Sequence, residues 1–481
     1  MNYEAVIGLE VHAQLCTRTK MFCACPTDFG AAPNTQVCPV CLGHPGVLPV
    51  PNRRAVELAV RFAGAVGAGV NPISTWARKN YFYPDLPKGY QITQYELPLA
   101  EGGAIRVESE GETREIPLVR LHLEEDAGRS RHPERAGETR TLVDLNRCGV
   151  PLIEIVSAPV IRTPAEAHAY LAEMRLILRY CGVCDGDMEK GSLRCDANVS
   201  VRPRGTTVLG AKIEVKNLNS LRHVERALAS EIERQSALLA QGGVLETATA
   251  LWDPVRGETR VMRTKEEAPD YRYFPEPDLP PLRLAPEWIA SVRTALPELP
   301  QARRERLVAR LGLRPYDAAV LTADPDLGGY FERVAARVGD APAVANFVTS
   351  TLLGALRDRG LEIATCPIAP EALAPLLDLI AAGRLSHTLA KQALDAMLNT
   401  GQSVEAIVRE HGWEQIDDAG AIDAWVAEAM AGHPAETAAY RAGKSGLRDF
   451  FVGQVLRLSG GRAHPQKVQD ALRRALDAKP E

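Results

Sequence analysis

No stretch of this 481-residue sequence approaches the ~18 consecutive apolar residues of a membrane span. Its start has neither a signal-peptide core nor an Arg-rich transit pattern, so a cytoplasmic protein with no membrane partner is expected. A global basic excess is also missing. The balance of 56 Lys and Arg against 61 Asp and Glu leaves a net charge of −5, so a polyanion must be met locally. Between Arg441 and Leu476 eight basic residues stand against two acidic ones, and this tail is the local exception. Familiar nucleotide fingerprints are lacking too. No Gly-x-Gly-x-x-Gly follows a strand pattern, and Gly443-Lys444-Ser445 has Ala438 where a phosphate loop needs its first glycine.

What is present begins with Ala5 to Leu15. Its odd positions are all apolar, while Gly8, Glu10, His12 and Gln14 fall on the other side, which is the period-two pattern of a strand with one buried face. Glu10 and His12 then sit about 7 Å apart on one surface and can reach one ion or substrate. Polar-out alternation is also ordinary for antiparallel sheets. The pattern recurs, however. Arg194, Asp196, Asn198, Ser200 and Arg202 alternate with Cys195, Ala197, Val199 and Val201, and Lys212, Glu214 and Lys216 alternate with Ile213 and Val215. Val119 to Asp126 ends in three carboxylates. A sheet face gathering Glu, Asp, His, Lys and Asn reads as the floor of a site for a charged ligand and a metal.

The ten cysteines occur without a secretory signal, which favours metal binding or burial over disulfides. Cys23, Cys25, Cys38 and Cys41 form C-x-C and C-x-x-C pairs with Pro, Gly and Asn between them, matching two knuckles of a structural zinc site. Such a closed site has no open coordination position, so its expected role is to fold the loop beside the first strand. Cys181 and Cys184 lack a second pair nearby and read as structural.

Asn52, Thr163 and Ser220 are expected to cap helices, the second with Pro164 at the first helical position and Glu166 completing a capping box. Lys216, Asn217 and Asn219 precede the third helix start, a natural anion seat or a plain cap. In Trp76 to Tyr90, Arg78, Lys79 and Lys88 interleave with Tyr and Phe, which suits phosphate holding and base stacking as well as a packed aromatic loop. Eight prolines between Pro269 and Pro300 mark the main boundary, beyond which strand patterns cease. Asn399 to Gln402 is a second hinge candidate.

Taken in order, IGLEVHAQL, the Cys23 to Cys41 pattern, ARKNYFYPDLPKGYQITQYE, HLEEDAG, DLNRCGVPLIEIVSAP, CDANVSVRP, KIEVKNLNS and DYRYFPEPDLPPL closely resemble the B subunit of the glutamyl/aspartyl-tRNA amidotransferase, the GatB family. FFVGQVLRLSGGRAHPQKV resembles that family's YqeY-like tail. The resemblance implies an α+β protein: a mainly antiparallel cradle domain with helices (1–290, zinc knuckle 23–41), an all-α helical domain (291–402) and an α-helical YqeY-like, tRNA-binding tail (403–481). It implies an ATP-dependent ligase acting on misacylated Glu-tRNA(Gln) or Asp-tRNA(Asn) through an acyl phosphate. Partners would be an amidase A subunit, which releases ammonia from glutamine, and a small C subunit, completing a heterotrimer. Glu10, His12, Glu125 and Glu214 match the positions of a catalytic magnesium site, with His12 bound directly, bound through water or touching substrate instead. Lys79, Tyr81, Asp196, Asn198, Lys216 and Asn217 would contact ATP and substrate, and Zn²⁺ would be structural. A different class is a non-catalytic zinc-containing scaffold that binds tRNA.

Overall fold

The computed structural model describes residues 3–131, 140–264, 270–413, 418–442, 444–463 and 465–477. Pro269, Gly443 and His464, used in the sequence reading, lie outside the described residues. The chain divides into two compact units, 1–300 and 301–481.

The first unit is built on strand β1 (Tyr3–Gln14), followed by helix α1 (Arg53–Ala65) and strands β2 (Ala77–Asn80), β3 (Tyr90–Thr93), β4 (Glu112–Glu125) and β5 (Pro151–Ser157). Helix α2 (Pro164–Tyr180), strands β6 (Leu193–Pro203) and β7 (Ile213–Leu218), helix α3 (Leu221–Ala240) and strands β8 (Ala248–Asp253) and β9 (Glu258–Thr264) complete it. One ten-stranded sheet runs β9-β8-β7-β6-β1-β5-β4, then the short strands Ala100–Glu101 and Gly69–Val70, with Ala104–Ser109 also paired to β4. Every pairing in it is antiparallel except β7 with β8, which α3 joins by a crossover. The expected α+β class is observed. β1 is central, flanked by β5 and β6.

The dry face of β1, Ala5 through Ala13 at odd positions, is buried with residues of α1, α2 and α3 in one core. The caps are as the sequence predicts. Asn52 Oδ1 accepts from Arg54 N at 2.9 Å, Thr163 Oγ1 from Glu166 N at 3.1 Å and Ser220 Oγ from His223 N at 3.1 Å. Glu166 differs in one detail: its carboxylate reaches back to the Arg162 N–H at 2.7 Å, one residue before the cap.

The proline-rich segment does not lie outside the first unit. Phe274–Pro275 pairs with β2, Leu282–Arg283 pairs with Ile73–Ser74, and Leu279, Leu284 and Val292 join the core, carrying the unit past residue 290 to 300. After Leu282–Arg283 the described residues hold only helices, as expected beyond Pro300, and within the segment short strands tolerate proline where one edge needs no N–H.

The second unit is helical. One core gathers residues from Leu307 to Val408 and another from Ile422 to Leu476. At the expected hinge, Gly401 takes a left-handed φ of 70° and Ser403 caps the helix Val404–His411. Met397, Val404, Ile407 and Val408 share the first of these cores, so the turn at 401–403 lies inside a packed body. Among the described residues no helix is long and apolar enough to cross a membrane.

Candidate active site

Residues directly opposite on neighbouring antiparallel strands point to the same side of a sheet. The register puts His12 of β1 opposite Glu154 of β5, and Glu154 opposite His122 of β4. This row of three is the heart of the wet face. Glu154 lies 3.3 Å from His12 Nε2 and 3.3 Å from His122 Nε2, so one carboxylate bridges two imidazoles. Glu124, two residues along β4 from His122, lies 3.5 Å from His12 and 3.8 Å from His122. Glu10 is 3.8 Å from His12. Ligand atoms of Glu10, His12 and Glu154 fall within 4.8 Å of one another, as do those of His122, Glu124 and Glu154.

His122, Glu124 and Glu154 are buried, whereas Glu10 and His12 remain partly exposed, so the cluster opens to solvent on its β1 side. Buried like charges need counter-charge. Burial opposes an imidazolium at His12, but the hydrogen bond to Glu154 and the charge of Glu124 raise its pKa to about 8. His122 likewise rises to about 9 against burial, through the charge of Glu154 and bonds to Glu124 and Glu154. Burial works against ionised Glu124 and Glu154 too, yet the two imidazoles pull both below the ordinary carboxylate range. Glu10 moves up, because burial and then the charge of Glu154 outweigh His12. The site is a nest of carboxylates held together by protons on two histidines. Carboxylates of Glu10, Glu124 and Glu154 around the His12 imidazole, with His122 behind them, are a set of groups that fits a divalent cation.

Cationic groups border this nest. Lys79 of β2 sits with its Nζ 4.9 Å from the centre of the Tyr271 ring, and its charge acts on both Glu10 and Glu124. Tyr81 donates to Gln91 Oε1 at 3.3 Å, edge-on to Tyr271. Asp196, opposite Glu10, accepts from Lys216 Nζ at 2.6 Å, and the same ammonium lies 2.9 Å from Glu214. Asn198 stands between Gly8 and Glu214 in register. Asn217 takes a φ of 67° at an irregularity in the β6–β7 ladder and donates to Trp252 O at 3.0 Å. Beside these residues opens a cleft of about 580 Å³ whose lining includes Arg129, Arg131, Arg147, Lys190, Arg194 and Lys216. Buried Asp126 anchors its wall, 2.8 Å from Arg194 and 3.5 Å from Arg147.

Two expected metal ligands do not join the cluster. Glu125 belongs to the opposite phase of β4 from His122 and Glu124. Its carboxylate accepts from Ile92 N at 3.0 Å and pairs with Lys88 Nζ, beside the cysteine loop. Glu214 lies two strands from β1, held by Lys216 and by Thr249 Oγ1 at 3.3 Å, and Lys216 links it to Asp196 opposite Glu10. In their places stand Glu124, Glu154 and His122, which the sequence reading missed. Two signals pointed to them. Glu154 is the single charge in the aliphatic run Leu152 to Val156, and period two along VRLHLEED sets His122 and Glu124 apart from Glu125.

The four loop cysteines do converge, with all sulfurs within 4.8 Å and Cys38 and Cys41 Sγ at 4.0 Å. Ligands of a tetrahedral zinc with ~2.3 Å bonds lie about 3.8 Å apart, so the spacing fits. Cys41 also accepts the Cys38 N–H at 3.2 Å. Its thiol is pulled down to about 4, chiefly by the hydrogen bond from Cys23 and then by the Cys38 amide and Lys20 against burial, the polarity a metal–thiolate site needs.

Residues 5–290 match the family described as the GatB/GatE catalytic domain, and residues 329–476 match the family described as the GatB domain. The B subunit of the aspartyl/glutamyl-tRNA(Asn/Gln) amidotransferase of Moorella thermoacetica is 53% identical over 476 residues, covering 99% of this chain and 100% of that protein. The proteins of the same name from Geobacter sulfurreducens and Thermodesulfovibrio yellowstonii are 51% and 50% identical, each covering 99% of this chain and 100% of the relative.

Proposed function

The chain belongs to the GatB/GatE catalytic-domain family, and from that membership we propose that it is the B subunit of an aspartyl/glutamyl-tRNA(Asn/Gln) amidotransferase, a glutamine-hydrolysing ligase. Its substrate is the side-chain carboxylate of Asp or Glu misacylated onto tRNA(Asn) or tRNA(Gln). A carboxylate is a poor electrophile, and transfer of the ATP γ-phosphoryl group to it installs a phosphate leaving group. Ammonia, made from glutamine by an amidase A subunit, then displaces phosphate and leaves the amide. A small C subunit completes the heterotrimer.

In this reading Glu10, His12, Glu124 and Glu154 hold a divalent ion, magnesium in the cell, which when bound offsets the negative charge of the phosphates. Lys79 and Lys216 orient phosphate oxygens from opposite sides of Glu10 and Asp196. Tyr81, Asn198 and Asn217 shape the walls on which ATP and the aminoacyl end rest. His122 touches only protein groups and positions Glu124 and Glu154. The cysteine loop holds zinc and fixes the segment that follows β1. The basic helices at the C-terminal end bind tRNA.

The row His12, Glu154, His122 with its flanking carboxylates carries this reading. Burying Glu124 and Glu154 side by side, with Glu10 half-buried beside them, is costly even with two imidazoles as partners, and a bound cation gives that arrangement a purpose. The test uses the complex of this chain with its amidase and small subunits, following phosphate release from ATP with and without mischarged tRNA. Release that requires the mischarged tRNA, and falls at least about 100-fold in Glu154→Gln, is expected. Release independent of tRNA, or an undiminished rate in the variant, contradicts the reading.

A further inference from the structure

Lys20 is fully buried, a rare state for an ammonium group without a partner of opposite charge. Among the described residues no carboxylate forms an ion pair with it, and the nearby Glu125 carboxylate pairs with Lys88 instead. Its Nζ donates to Gln36 O at 2.7 Å and lies 3.6 Å from Cys41 Sγ. Its own backbone ties the same loop together, Lys20 N donating to Cys25 O at 3.0 Å and Met21 N to Gly149 O at 2.8 Å. The side chain therefore starts at one end of the cysteine loop and ends against the sulfur of the other, passing Gly149, where a Cβ would come to within 3.4 Å of Lys20 Cδ.

Four thiolates around a zinc ion carry a net charge of −2, which a low-dielectric surround does not tolerate without compensation. We propose that Lys20 is the built-in counter-charge of the thiolate centre, donating an N–H to Cys41 Sγ and holding the net charge of the loop near −1. The inference rests on the zinc reading of the four cysteines. It explains why an ammonium is buried with, among the described residues, no acid as its ion-pair partner. An ammonium hydrogen bond also lowers the energy of the sulfur lone pairs, so Lys20 makes Cys41 a less electron-rich ligand than the other three.

Cobalt(II) is the probe, because its thiolate-to-metal charge-transfer band reports sulfur lone-pair energy and its d–d bands report tetrahedral geometry. The metal-stripped full chain is titrated with cobalt and then with zinc in competition, for the natural sequence, Lys20→Met and Lys20→Gln. With the charge removed, both variants should show the charge-transfer band at lower energy, unchanged tetrahedral d–d bands, and zinc affinity weaker by roughly 10- to 100-fold. A purely space-filling role leaves the band energy unmoved. An unshifted band and equal affinity in a folded variant overturn the proposal. If Lys20→Met fails to fold, Lys20→Gln, which keeps a neutral donor toward Gln36, gives the same decision. If the natural sequence binds neither cobalt nor zinc, it is the zinc reading that fails.

Discussion

Adjacent glutamates on β4 offer a sharp test of the site, because the pleat sends Glu124 and Glu125 to different surroundings. Glu124→Gln removes a carboxylate that lies 3.5 Å from His12 and 3.8 Å from His122. The change is nearly isosteric, and Glu154 remains to hold both imidazoles, so the fold should survive. A divalent cation loses one anionic ligand, and even residues that only orient a ligand cost about 10- to 100-fold in metal affinity when removed, so a loss of at least about 100-fold is expected. That is about 2.7 kcal/mol of binding free energy. Glu125→Gln should do the opposite. It breaks a pair with Lys88 in which the side chains are 2% and 5% exposed, and breaking a buried pair costs about 3–5 kcal/mol of stability. Its cation affinity should stay within about threefold of the natural protein, inside the scatter of a distant, independent site. Manganese(II), counted free and bound by electron paramagnetic resonance, measures the first effect, and calorimetric melting measures the second. If Glu125→Gln abolishes manganese binding in a folded chain while Glu124→Gln retains it, the assignment from strand phase is wrong.

Three further outcomes follow from local geometry. Ser220→Ala removes the acceptor of the His223 N–H at the start of α3 and should cost about 1 kcal/mol in the melting of the first unit, with manganese affinity unchanged. Asn217 sits at a φ of 67°, so Asn217→Gly should be nearly neutral while Asn217→Val should cost at least about 1–2 kcal/mol in the same assay. Equal stability of the two would show that the left-handed backbone is not what selects the residue. Cys41→Ala should take the zinc content of the purified chain from about one ion to near none and make the bonds between Cys25 and Cys38 sensitive to protease, read by metal analysis and limited proteolysis. Full zinc retention would remove Cys41 from the ligand set.

How far the site was legible depended on which physical signal each residue carried. The strands β1, β6 and β7 could be read because each has one buried face, and a period of two survives in any such strand. The caps at Asn52, Thr163 and Ser220 could be read because capping is a local affair of three residues. β5 is different. It lies between β1 and β4 with both neighbours present, and all of its residues but Val156 are buried, so an apolar run hid its role as part of the floor. Glu154 was visible there only as an oddity, a single charge among aliphatics, and its meaning needed the cross-strand register that brings His12 and His122 to it.

The separation of Glu125 from the histidines has the same origin. Three consecutive acids in HLEED look equivalent as composition, yet the pleat gives them alternating directions: Glu124 toward the imidazoles, Glu125 toward Lys88, Asp126 onto the arginines of the cleft. Phase was available in the sequence from Leu121 and Leu123, which must face the core and so place Glu125 with them. Glu214 stands apart from the histidines for a reason that no periodicity could reveal. It shares the wet face with Glu10, but in-register distance across two strands is about 9–10 Å, beyond one ion's reach. Side-chain period decides which face a residue serves, and only strand order decides how close it comes to the others on that face. That is why Lys79 and Lys216 could be singled out from the sequence as cations, while the acids brought to His12 required the order β6-β1-β5-β4.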